Sequence, residues 1–122
     1  MREKIIINSV SIKDQELNLY SETKQSLTNL KDRGQVLVDS DHFAFIYITE
    51  NEETFTYIVL HEQIWPELKI ALTKNLPVVV VGKDSRLYLN GFHGELNYLI
   101  ENIKGNSNYG EEMVNKVESL FL

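Results

Sequence analysis

A chain of 122 residues, 43% of them apolar and 25% charged, has the size and composition of one globular domain and none of the low-complexity tracts of a disordered one. Twelve basic against eighteen acidic residues leave a formal net charge of −6, with the basic residues scattered; this argues against binding to nucleic acid or to an anionic membrane surface, since both depend on clustered cations. The chain has no cysteine, which excludes disulfides, thiolate metal sites and cysteine nucleophiles.

Met1-Arg2-Glu3-Lys4 is followed by only three isoleucines, without the longer apolar core and small-residue cleavage site of a secretory leader. No apolar run approaches the ~20 residues of a membrane span. The expectation is a cytoplasmic protein with no membrane attachment.

Residues 4–12 read as one strand, Asp14-Gln15 as a turn and Leu17 to Tyr20 as a second strand. Residues 21–34 read as irregular, with at most one helical turn on the spacing of Leu27 and Leu30, ending at Gly34. Residues 35–39 open the strongest β region. Segments 42–50 and 54–62 form an antiparallel hairpin around Asn51-Glu52-Glu53. Phe43, Phe45 and Tyr47 alternate with Ala44, Ile46 and Ile48, so both faces are apolar and the strand is expected to be central and covered on both sides.

A helix then follows, with Pro66 suited to its first turn and Ile64, Trp65, Leu68, Ala71 and Leu72 as its buried stripe. Asn75 suits a left-handed cap and Pro77 lies just beyond. Residues 77–82 and 86–89 read as two further strands. Phe92, Leu96, Leu99, Ile100 and Ile103 mark a helix that stops at Gly105. A last helix is expected from Asn108, which would cap it in a box with Glu111, and Met113, Val117, Leu120 and Phe121 would dock it. The pattern is that of an α+β domain over residues 1–122. It predicts a mainly antiparallel sheet or partly closed barrel of about six to seven strands, one middle helix and a C-terminal helix pair.

The densest reactive cluster is Asp39-Ser40-Asp41-His42. Two carboxylates and an imidazole are suitable donors for a divalent metal, but Asp and Ser are also the residues that build tight turns, and a turn is required here. In an extended strand Asp39 and Asp41 would share one side and His42 the other, which weakens a three-ligand site. His61-Glu62 lacks the second histidine of a zincin helix, Trp65 standing in its place. His93 and Glu95 are poorly spaced to share a helix face. No phosphate loop or nucleophile elbow is present. The stretch 105–110, GNSNYG, reads as an interhelical hinge, and Glu111 and Glu112 would repel an anion at the helix start behind it. No catalytic residue, metal or cofactor is assigned.

From Gln35 onward, VLVDSD with Phe43-Ala44-Phe45, the lone Trp65, Phe92 with Glu95-Leu96, and NIKGNSNYGEE from Asn102 together resemble a YjbL-like family of Firmicute (Bacillales) proteins of uncharacterised function. The resemblance implies a bacterial cytosolic protein and carries no activity or ligand with it. The matching polar residues, at which a shared site would lie, are Asp39, Ser40, Asp41, Glu95, Asn106, Asn108 and Tyr109. Turn and cap roles account for most of them equally well.

Two classes of function remain. The first is a non-enzymatic interaction or regulatory protein that binds a protein partner, not yet identified. The alternative is a small-molecule-binding domain or small enzyme with its site near Asp39, Asp41 and the Asn106–Tyr109 hinge. A flat apolar patch would favour the first, and a closed polar pocket the second. The oligomeric state is left open.

Overall fold

A computed structural model describes residues 2–22, 27–83 and 85–122, and its layout turns on two adjacent residues. Ile7 donates its backbone N–H to Val59 O at 3.1 Å, and Asn8 donates to Tyr20 O at 2.8 Å. These acceptors lie in different sheets. The stretch expected to be one strand is therefore two, β1 (Arg2–Ile6) and β2 (Ser9–Lys13), each pairing elsewhere. Asp14 and Gln15, both at positive φ, close the hairpin into β3 (Glu16–Tyr20).

The next strand, β4 (Lys31–Asp39), starts earlier than Gln35, so the irregular reading of 21–34 fails from Lys31 onward; residues 23–26 lie outside the described residues. Gly34, at φ 66°, sits where the register with the next strand shifts, between Asp32 and Val36. It interrupts the strand without ending it, as glycine does at a bulge. β5 (Ala44–Glu50) and β6 (Phe55–His61) form the expected hairpin, its turn held by Asn51 Oδ1, which accepts from the N–H groups of Glu53 and Thr54 at 2.8 Å each.

After one turn of 3-10 helix, α1 (Trp65–Lys74) carries Pro66 in its first turn and ends on Asn75 at φ 55°, as expected. β7 (Val78–Val81), β8 (Arg86–Tyr88), α2 (Phe92–Ile103) and α3 (Glu111–Phe121) complete the chain.

The class is α+β, but the described residues build two four-stranded sheets and no closed barrel. The orders are β1-β6-β5-β4 and β2-β3-β7-β8. Both are mixed: β1 runs parallel to β6 and β3 parallel to β7, while the other pairs are antiparallel. The switch at Ile7-Asn8 is the reason. It hands the N-terminal segment to both sheets in turn, which a single antiparallel sheet cannot accommodate.

One apolar cluster joins the inner faces of the two sheets to all three helices. Trp65, 1% exposed, stacks on Phe45 with centroids 4.6 Å apart, and Phe121 tilts against both rings at 5.9 and 6.0 Å. Trp65 Nε1 donates to Leu60 O at 3.0 Å, so its polar atom is satisfied. No helix among the described residues is long and apolar enough to cross a membrane.

Candidate functional site

The Asp39 to Phe43 segment is the β4–β5 turn. Asp39 Oδ1 accepts from His42 N at 3.2 Å, and Asp39 Oδ2 lies 2.9 Å from His42 Nδ1. Burial alone would raise the Asp39 carboxyl, but the His42 side chain and backbone hydrogen bonds, with the imidazole's charge, hold it below the ordinary carboxylate range. Phe43 takes φ 50°, a costly conformation for a bulky residue, and its carbonyl accepts from Glu62 N at 3.0 Å. Lys116 Nζ stands 4.9 Å over the Phe43 ring and 3.0 Å from Glu62 Oε2. The Asp39 carboxylate builds the turn, and no group of three metal-ligating side chains occurs among the described residues.

The hinge after α2 is built from its own amides. Asn106 Oδ1 accepts from Asn108 N at 3.1 Å and Asn106 Nδ2 donates to Asn102 O at 3.3 Å; Glu118 Oε2 accepts from Gly105 N at 2.8 Å. Asn106, not Asn108, is thus the capping residue, and it caps a single 3-10 turn, Ser107–Tyr109. The expected capping box does not form. Gly110, at φ 93°, separates that turn from α3, which starts at Glu111 without a side-chain cap.

Turn and hinge meet. Ser40, Asp41 and Phe43 form one wall of an open groove, and Asn108, Tyr109 and the first turn of α3 form the other. Four of the residues singled out from the sequence therefore share one surface. Asp39 is turned to His42, Asn106 is used inside the hinge, and Glu95 lies in the first turn of α2, outside this groove.

A second feature was not expected. β5 is central and apolar on both faces, yet only one face joins the core. Phe45, Tyr47, Ile58 and Leu60 belong to the core cluster; Ile46, Ile48, Val59, Leu37 and Ile6 do not. The outer face keeps Ile6 46%, Leu37 37% and Phe55 40% exposed at its margins, while Ala44, Ile48 and Val59 between them are buried, so the central strand is covered on both sides as expected over most of its length. The apolar alternation in β5 was legible, but it does not say what covers each face. The outer face of the other sheet carries a polar network in addition to Val79 and Val81: Arg86 donates to Glu16 Oε1 at 2.8 Å and to Asn18 Oδ1 at 3.2 Å across it.

Residues 5–121 match the model of a family described as "Family of unknown function (UPF0738)". The chain is 47% identical to the UPF0738 protein YjbL of Bacillus subtilis and 48% identical to a UPF0738 protein of Bacillus licheniformis, in each case over the full length of both chains. A UPF0738 protein of Geobacillus is 38% identical over all of this chain and 99% of its own. No solved structure matches the chain.

Proposed function

We propose that this chain, which belongs to the UPF0738 family of unknown function, is a non-enzymatic interaction protein that docks a protein partner through the outer face of its β1-β6-β5-β4 sheet. One observation carries the reading. Ile6, Val59, Ile46 and Leu37 are register neighbours across all four strands and make an apolar row outside the main cluster, exposed at its two ends, Ile6 and Leu37, half-buried at Ile46 and buried at Val59. Exposed apolar side chains grouped on one face are a feature of docking sites, and the partner they suit presents an apolar, weakly charged protein surface. A photo-crosslinking residue at Leu37 is the test, with Ser9 on the other sheet as control. The reading requires a defined protein adduct from Leu37 in native cells and none from Ser9. Equal or absent adducts at both positions would refute it.

The shared groove of Ser40, Asp41, Asn108 and Tyr109 supports a second reading, a small-molecule site. Its rim of Asp41, Glu111 and Glu112 suits a cationic ligand. Saturation-transfer NMR against a library of small amines tests it, with Asp41→Asn expected to abolish the signal.

A further inference from the structure

We propose that the occupant of the apolar sheet face is a second copy of this chain, in an isologous dimer whose two outer faces pack with their strands reversed relative to one another. The inference rests on the docking reading above and deepens it.

The charges on the face point to this arrangement. At one end the register places Lys31 beside Glu50 and Glu50 beside Phe55, and Arg33 sits 5.5 Å over the Phe55 ring while pairing with Glu50 at 3.4 Å. At the other end it places Asp39 beside Ala44 and Ala44 beside His61. Counting the strand residues alone, the face is basic on balance at one end, where the turn carboxylates Glu52 and Glu53 lie just beyond it, and carries Asp39, paired with His42, at the other, with apolar rows between. A two-fold axis lying in the interface across the strands sets each strand over its own copy, reversed. Asp39 of one copy then approaches Lys31 and Arg33 of the other, twice by symmetry, and the apolar rows close on each other.

Net charge favours the same face. Two chains of net charge −6 repel, and the charges on this face, Lys4, Lys31 and Arg33 against Asp39 and Glu50, are the reverse of that excess. A strongly basic partner would be drawn to the acidic surfaces elsewhere. A surface that is itself nearly neutral and apolar matches this one, and a second copy supplies it.

The area fits a reversible dimer. The four strands, of five, nine, seven and seven residues, cover roughly 19 by 24 Å at the usual spacings. With side-chain relief, two such faces bury about 1,000 Å² in total, at the lower bound of specific interfaces, which fits a micromolar dimer.

Sedimentation equilibrium from about 1 to 200 µM brackets that affinity. The wild-type chain is expected to shift from monomer to dimer in that range, Ile46→Glu to stay monomeric, and Ser9→Glu to behave as wild type. Lys31→Glu with Arg33→Glu should weaken the dimer at least about tenfold, and adding Asp39→Lys should restore it, because the ends are then exchanged; since Asp39 also accepts from His42 N in the β4–β5 turn, Asp39→Lys alone is melted first to establish that the turn tolerates it. Circular dichroism melts establish that each variant is folded; the Lys31 and Arg33 changes are at exposed positions and serve if Ile46→Glu is not. A dimer indifferent to both Ile46→Glu and the charge reversals overturns the proposal, and failure of Asp39→Lys to restore overturns the reversed packing. A wild-type chain that stays monomeric overturns the second copy; the docking reading then survives only if the Leu37 crosslinker captures a different protein, and falls with it if nothing is captured.

Discussion

The hydroxyl of Tyr47, in the middle of β5, donates to the carboxylate of Asp32, at the start of β4. The same carboxylate accepts from Gly34 N at 2.6 Å and from Gly91 N at 3.1 Å. One side chain thus holds the bulge in β4, a core tyrosine and the entry to α2. Asp32→Ala removes an acceptor from three donors, one of them on a fully buried side chain. It should destabilise the fold by about 2–3 kcal/mol in urea unfolding. Tyr47→Phe, which leaves the carboxylate its two backbone donors, should cost about 1 kcal/mol.

The same pair sets the alkaline behaviour. Burial first, then the hydrogen bond to Asp32 and its negative charge, push the Tyr47 phenol far above its ordinary value of 10.0. A folded-state value above the unfolded one means that the contribution is fully present below pH 10 and is lost as the pH rises toward the folded value. Tyrosinate absorbance from Tyr47 should therefore appear only together with alkaline unfolding. The comparison is with Tyr47→Phe, which should lack that late fraction. Early, reversible ionisation of all six tyrosines would contradict it.

At acid pH one sensitive group is Asp39. Its carboxyl lies below 3.8 in the folded chain, so its contribution is present above that value and lost as the pH falls through the lower folded one. A carboxyl NMR titration should place the Asp39 midpoint below 3.8, and His42→Ala should raise it.

Local features were legible because their causes are local. Pro66 and Asn75 bracket α1 through backbone geometry alone, and Asn51 folds its hairpin with its own side chain. The crossing at Ile7-Asn8 was not legible. Isoleucine and asparagine in an apolar run carry no mark of it, and it exists because Val59 and Tyr20, far away in sequence, supply acceptors in two directions. Asp32 was missed for the same reason: Asp-Arg-Gly suggests a turn, whereas Gly91 and Tyr47, distant in sequence, make it a junction. At the candidate site, the turn role of Asp39 could be read from residue type. The meeting of Ser40 and Asp41 with Asn108 and Tyr109 could be posed from the sequence only as a requirement, since tertiary packing decides it.

Trp65 lies at the centre of the cluster that joins both sheets to the three helices. Trp65→Ala would empty the space against Phe45 and Phe121 and leave Leu60 O without its indole donor. A loss of about 3–5 kcal/mol is expected. Because one cluster serves every layer, the wild-type chain should unfold in a single transition with coincident fluorescence and circular dichroism curves. Two separated transitions would mean that the sheets are independent units.

The C-terminal turn of α3 is the last piece to close this core. Phe121 is 5% exposed against Phe45 and Trp65, and Lys69 Nζ donates to its carbonyl at 2.8 Å, whereas Leu122 is 56% exposed. The last turn is thus held by the Phe121 ring, the partly buried Leu120 and one charge-assisted hydrogen bond, and the Leu122 side chain adds little. Deleting Ser119 to Leu122 removes the ring, the partly buried Leu120 and the acceptor of Lys69 together. Burial of a large apolar side chain is worth roughly 1.5–3 kcal/mol, so the truncated chain should lose several kcal/mol and melt well below wild type. Deleting Leu122 alone should leave the melting temperature nearly unchanged. Equal effects of the two deletions would show that the helix end is not docked through Phe121.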